Sequence, residues 1–372
     1  MALVDHGDPD LVALQERFAS WLSRQPGAAG ISVAALRQAS RTSGFSNETY
    51  RLTLREPSGG EQEVILRLPP ARTGFFPDYD MARQYTFMDR LFGEPGLAMA
   101  RCRWLEQDPQ PLGRPFFVTD FVAGVVAADQ PKYVCEGWIV QASPEQRQRL
   151  WDTSIDQLAQ LARVRWHGRE LAGVDWPDRQ VPRLLQHIAY WTRLGDWGAS
   201  TLPREDDRFL RELAGWLQAH APRDETAGLV WGDSRFGNII YQDFKPAALL
   251  DWELAVIGDP MIDLAYLLFH VFLTELYHAD PAAANPRLTG FRGDEETVMR
   301  YCEAVQRSPH DYRYYWLFNA YKMLCIWQCK AALMVRCGVW SVEQALQERR
   351  GDRLRAWIAR VLESGSEAAY LR

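Results

Sequence analysis

The chain has 372 residues, 47% of them hydrophobic and 24% charged, with a formal net charge of −6. That length exceeds one small core and points to two lobes, and the mildly acidic balance speaks against nucleic acid or an anionic membrane as partner. The six cysteines contain no C-x-x-C pair, which excludes an obvious zinc motif and leaves them as reduced thiols of a cytoplasmic protein.

In chain order, Asp8–Gln25 has the helical spacing Leu11, Leu14, Phe18 and Leu22, with no secretory leader ahead of it. Strand-like runs follow: ISVAALRQAS, then GFSNETYRLTLRE, a PSGG turn and EQEVILRLP, which together predict an antiparallel meander. A helix is expected near Asp78–Leu91, then two more strands, MARCRWLEQ and PFFVTDFVAG. After Gly124 the periodicity becomes helical. Ser143, Pro144 and Gln146 spell a helix start, and further helices are expected over Val181–Trp197 and Glu205–His220. Three short apolar strands come next, GLVWGD, NIIYQ and AALLDWE, and everything beyond Asp259 reads as helix. The longest apolar region, Tyr314–Trp340, carries Lys322, Lys330 and Arg336, so it predicts a buried or amphipathic helix and no membrane span. The fold class is therefore α+β: a strand-rich N-terminal lobe over residues 1–120 and a larger, mainly helical lobe over 121–372.

The most informative string is WGDSRFGN, Trp231–Asn238, followed thirteen residues later by Asp251 in LLDWE. Phosphoryl transfer needs a positioned hydroxyl and neutralised phosphate charge more than covalent chemistry. Asp233 suits the carboxylate that accepts the attacking hydroxyl's proton, and Arg235 the cation beside it. Asn238 and Asp251 suit magnesium, which takes few protein oxygens. A strand-turn-strand unit would bring these two close. The plain alternative is that all four are turn residues. His167, His187, His220, His270 and His278 show no metal spacing and read as structural or surface groups. The Trp-rich segments read as core stripes, or as the wall of an acceptor pocket.

D-x-R-x-x-N followed by a strand-borne Asp resembles the catalytic pattern of the protein-kinase-like fold. The fuller string LVWGDSRFGNIIY…AALLDWELAVIGDPMIDLAYLLF is similar to the aminoglycoside phosphotransferase and choline kinase group, and within it to the branch fused to acyl-CoA dehydrogenases. The resemblance implies a two-lobed kinase-like fold using ATP and Mg2+. It casts Asp233 as the catalytic carboxylate, Asn238 and Asp251 as metal ligands, and Asp263 as a support of the catalytic loop. It also implies a phosphate loop at Gly44, Ser46 and Asn47, a phosphate-gripping Arg67 in VILRL, and a hinge at Thr119, Asp120, Phe121 and Val122 around the adenine. Two positions depart from the pattern. Gln84 stands where kinase-like folds carry a Glu to pair with the basic residue, with Asp80 one turn earlier as a substitute, and Trp231 stands where the wider group has His. The expected activity is transfer of the γ-phosphate to a hydroxyl of a small molecule: an aminoglycoside, a choline-like cation or a hydroxy-acyl compound. A non-catalytic nucleotide-binding module and, more remotely, a metal-dependent hydrolase are the competing readings.

Overall fold

The computed structural model describes residues 9–39, 47–71, 74–169, 171, 174–178, 180–203, 207–222, 226–278 and 287–364. They fall into two compact units, one running to Gly93 and including Met99–Ala123, the other comprising Glu94–Ala98 and the residues from Gly124 onward.

In the N-terminal unit, helix α1 (Pro9–Leu22) precedes strands β1 (Ser32–Gln38), β2 (Glu48–Arg55) and β3 (Glu61–Leu68), helix α2 (Met81–Leu91), and strands β4 (Cys102–Glu106) and β5 (Phe116–Asp120). The strands form one antiparallel sheet in the order β1-β2-β3-β5-β4. Alternation decides its two faces. Leu52, Leu54, Val64, Leu66, Phe116 and Val118 point to one side and pack with Phe18, Trp21 and Leu22 of α1. Each such side chain removed from water contributes about 1.5–3 kcal/mol. The other side carries Arg51, Arg67, Phe117 and Thr119, with Arg67 directly opposite Phe117. Helix α2 lies on that side, where the Tyr85 ring meets Phe117 edge-on at 6.3 Å between centroids.

In the C-terminal unit the helices α3 (Trp138–Gln141), α4 (Pro144–Arg163), α5 (Arg183–Ser200) and α6 (Arg208–Ala219) come first. Short strands β6 (Gly228–Val230), β7 (Ile239–Gln242), β8 (Lys245–Leu249) and β9 (Val256–Gly258) follow. Helices α7 (Met261–His278), α8 (Asp294–Val305), α9 (Tyr312–Arg336), α10 (Val342–Glu348) and α11 (Asp352–Ser364) complete it. Ser143 and Gln146 form the expected reciprocal cap on α4. Helix α9 is buried on nearly every side, which explains its apolar run without a membrane. It packs closely on α5 at Gly198, where a Cβ would lie 2.6 Å from the Cys329 amide nitrogen. Among the described residues no helix is long and apolar enough to cross a membrane.

The strands of this unit pair as two antiparallel ribbons, β6 with β9 and β7 with β8. Strand β9 was not expected from the sequence, because three residues are too few to show a period. Strands β6 and β8 both stop short of the acidic residues that follow them, leaving Asp233 and Asp251 on the connections.

Candidate active site

The turn after β6 is built around Gly232. Its φ is +88°, and a Cβ there would meet the Leu254 carbonyl oxygen at 2.3 Å, so only glycine fits. Helix α7 supplies the anchor. The Asp263 carboxylate accepts the backbone N–H groups of Trp231 at 2.6 Å and Gly232 at 2.8 Å, and its carbonyl accepts the Ser234 hydroxyl at 2.7 Å. Asp263 is itself positioned by the start of α7. There Asp259 accepts the Met261 N–H at 2.9 Å, the Tyr315 hydroxyl at 2.6 Å and the Arg307 guanidinium. Trp231 is fully buried with its indole donating to the Leu250 carbonyl at 2.8 Å, so the indole ties the turn to the segment just past β8.

Asp233 follows directly. Its Oδ2 accepts the Asn238 amide at 2.6 Å and the Arg235 Nε at 3.3 Å, and its carbonyl accepts the same Asn238 amide at 3.0 Å. Burial opposes ionisation of this carboxyl, but the charges of Arg235 and Lys322 and a hydrogen bond from the Tyr266 hydroxyl outweigh it and hold its pKa below the ordinary value. Arg235 also donates to Asp129 at 2.7 Å, and Lys132 pairs with the other Asp129 oxygen at 3.1 Å. Burial works against the Asp129 charge, yet these two cations bring its pKa down to about 2. The result is a chain of charge contacts, Lys132–Asp129–Arg235–Asp233.

Asn238 lies in a short 3₁₀ turn, Phe236–Asn238, just ahead of β7. The β7–β8 hairpin closes on a two-residue turn, Asp243–Phe244, both with positive φ. It returns the chain so that the Leu250 N–H donates to the Asn238 carbonyl at 2.8 Å. The next residue, Asp251, is therefore close in the backbone to Asn238, and it adopts a left-handed φ of 61°.

Four further groups surround this turn that sequence reasoning did not assign. Tyr266 and His270 sit three and seven residues after Asp263, on the same face of α7. Burial and the nearby Arg235 and Lys132 pull the His270 pKa down to about 3, so its ring is neutral. Asp129 had no motif to mark it. Lys322, on α9, is 1% exposed and was read only as an interruption of an apolar run. Its ammonium donates to the Gly232 carbonyl and sits 3.9 Å from the centre of the Tyr266 ring. Burial lowers its pKa and raises that of Asp263, each partly restrained by the other's charge. The signal that could have found it was the lysine itself. An ammonium inside a helix buried all round costs several kcal/mol unless partners await it.

In the N-terminal unit the outcome is mixed. Gly44 and Ser46 lie outside the described residues. Asn47 is described and buried, at the entry to β2. Arg67 is half-buried on the α2 side of the sheet. One pairing that the kinase-like pattern suggests is absent. Gln84 does not accept a hydrogen bond from Arg67, for its Oε1 is buried without a hydrogen-bond partner and its Nε2 faces only the Met81 sulfur at 4.0 Å. Asp80 caps α2, its carboxylate accepting the Arg83 N–H at 2.8 Å. At the hinge, the Asp120 N–H is taken by the Arg101 carbonyl at 2.8 Å and the Phe121 N–H by the Glu63 carbonyl at 3.1 Å. The Asp120 carboxylate pairs with Arg103, and the Arg51 guanidinium covers the Phe121 ring at 3.7 Å. Thr119 is buried in the central strand. Of the four hinge residues, Val122 lies just past these committed groups.

A five-stranded antiparallel sheet in one unit, and in the other a helical body bearing a D-x-R-x-x-N turn beside a hairpin, define the class of kinase-like phosphotransferases. The sequence profile of the APH phosphotransferase enzyme family matches residues 38–302, and the chain belongs to that family. It is 25% identical over 299 residues to acyl-CoA dehydrogenase family member 10 of Mus musculus, a match covering 77% of this chain and 25% of that protein. With acyl-CoA dehydrogenase family member 11 of Pongo abelii it shares 25% identity over 301 residues, 79% of this chain and 36% of that one. The chain thus spans roughly a quarter to a third of the curated relatives it matches. A crystal structure from Ralstonia eutropha JMP134, assigned as an aminoglycoside phosphotransferase, superposes with a TM-score of 0.68 at 24% identity, covering 92% of this chain and 96% of that one. A thermostable mutant of aminoglycoside phosphotransferase APH(4)-Ia, in a ternary complex with AMP-PNP and hygromycin B, gives 0.52 at 15% identity over 94% and 99% of the two chains.

Proposed function

We propose that this phosphotransferase uses Mg-ATP and moves the γ-phosphate to a hydroxyl of a small molecule. The observation that carries the reading is Asp233. It is a carboxylate kept ionised, held by Asn238 and Arg235 on a turn that Asp263 fixes from α7. In that state it can accept the proton of an attacking hydroxyl. Arg235, anchored by Asp129, holds positive charge beside the reacting oxygen. The donor chemistry suits a hard cation. Asn238 spends its N–H on Asp233, which leaves its amide oxygen as the ligating atom, and Asp251 offers a carboxylate. Magnesium bound there supplies charge neutralisation for the phosphate oxygens. Use of ATP is supported by the fold relative crystallised with AMP-PNP.

For the acceptor we propose a cavity of about 550 Å³ in the C-terminal unit, lined by Lys132, His270, Tyr277, Met323, Trp327 and Trp340 among others. Lys132 and His270 join it to the charged chain ending at Asp233. Asp233, Arg235, Asn238 and Asp251 in the C-terminal unit, and Asn47, Arg67 and Val122 in the N-terminal unit, are the residues proposed to act.

Calorimetric titration with ADP, with and without magnesium, tests the nucleotide reading. Tight binding that weakens at least tenfold without the metal, or in Asp251→Ala, supports it; no binding in either condition removes it. A second reading, a nucleotide-binding module without transfer, is favoured by the uncharged Gln84. It predicts the same titration but no ADP release across a broad acceptor panel.

A further inference from the structure

We infer that Lys322 is a positioning residue of the catalytic turn, an inference that rests on the phosphotransferase reading. Its own helix offers no reason for a charge, although the ammonium also offsets the buried carboxylates of Asp233 and Asp263. Along α9 its neighbours Tyr321, Met323 and Leu324 are all buried, and a methionine of similar length would fill the same core space.

The ammonium instead meets a single backbone acceptor, the Gly232 carbonyl, over the face of Tyr266, with the Trp191 ring 5.2 Å away. Gly232 is the residue whose left-handed φ starts the turn, and its carbonyl belongs to the peptide that carries the Asp233 N–H. Asp263 holds the other end of the same residue through the Gly232 N–H. Two buried side chains of opposite charge, one from α7 and one from α9, thus grip the two peptide groups flanking Gly232. Each peptide plane is fixed from one side, and together they set the direction in which Asp233 leaves the turn. Tyr266 completes the arrangement, since its ring lies under the ammonium while its hydroxyl bonds Asp233. Without Lys322 the Asp263 grip remains, but the carbonyl side of Gly232 is released into an apolar core with no donor to meet it.

The test compares wild type with Lys322→Met, which keeps the volume and removes donor and charge, and Lys322→Arg, which restores both. Three readouts apply to each protein: ADP affinity in magnesium, acceptor-independent ADP release from ATP, and amide hydrogen exchange across residues 230–234. The Met variant is expected to bind ADP within about threefold of wild type. Its ADP release is expected to fall at least thirtyfold, and its exchange to quicken at 230–234 while the β7–β8 hairpin keeps its protection. The Arg variant is expected to regain at least a third of the wild-type rate. The inference is overturned if the Met variant releases ADP within threefold of wild type, or if its exchange quickens equally everywhere. It is also overturned if Arg recovers nothing while binding ADP normally. Should the Met variant not fold, the Arg variant and the exchange pattern of Lys322→Gln, which keeps a donor without charge, decide in its place. A wild type that neither binds nor hydrolyses nucleotide counts against the phosphotransferase reading, and exchange at 230–234 still judges the positioning role.

Discussion

The β-sheet of the N-terminal unit and the Trp231–Asp233 turn of the C-terminal unit are held by different forces. The sheet is secured by repetition. Leu52, Leu54, Val64 and Leu66 each add a similar apolar contact against α1, and its charges sit on the half-exposed face as pairs such as Arg51 with Glu63. The turn at Trp231–Asp233 has no repetition. Its course depends on one glycine and on two buried charges from distant helices, Asp263 and Lys322. A sheet built from many small, additive terms tolerates change, whereas a turn built from a few buried polar contacts does not.

Two glycines separate the two regions most strongly. Gly232→Ala must clear the Leu254 carbonyl and adopt an unfavourable φ, and it is expected to cost at least about 3 kcal/mol or to prevent folding. Gly59, in the β2–β3 turn at φ +90°, faces open space, so Gly59→Ala is expected to cost only about 1 kcal/mol. Urea unfolding of both variants checks the pair, and equal losses would erase the distinction. Next in size, Asp263→Ala strands two backbone N–H groups and the Lys322 charge, with an expected loss of about 3–5 kcal/mol. In the sheet unit, Gln84→Leu removes an oxygen that already lacks a partner, and thermal melting should show no loss beyond about 1 kcal/mol.

A smaller effect follows from His270. Its folded pKa lies near 3 while its unfolded value is near 6.5. Below pH 6.5 the unfolded chain therefore binds a proton that the folded chain refuses, and stability falls as the pH drops through that window. His270→Asn is expected to flatten the stability curve between pH 6.5 and 4, measured by denaturant titrations at each pH. An unchanged slope would show that the ring takes up its proton freely in the fold. Least of all, Glu61→Gln breaks the exposed pair with Arg55, 2.8 Å apart, and should shift stability by no more than about 0.5 kcal/mol.

The same contrast explains what could be read from the residues alone. Alternation in EQEVILRLP and PFFVTDFVAG announces strands because every second side chain reports its own burial. The capping box at Ser143 and Gln146 is equally local. Within the turn, Asp233, Arg235, Asn238 and Asp251 are near neighbours in sequence and joined by one hairpin, so their grouping was visible. Lys322 and Asp129 reach the same place from 89 residues downstream and 104 upstream of Asp233, with no motif to connect them. His270 looked like an isolated histidine because its helix phase relative to Asp263 has meaning only once Asp263 is placed. The absence of a bond from Arg67 to Gln84 has a similar reason. A family pattern gives the position, but the helix face that packs on the sheet decides where the side chain points.

On the phosphotransferase reading, Asp233 serves chemistry and not the fold or nucleotide binding. This role is tested most directly by measuring ADP affinity and ADP release from Mg-ATP side by side for wild type and Asp233→Asn. Affinities within about threefold of each other are expected, with a release rate at least about a hundredfold lower in the variant. An Asn variant that releases ADP as fast as wild type would contradict it.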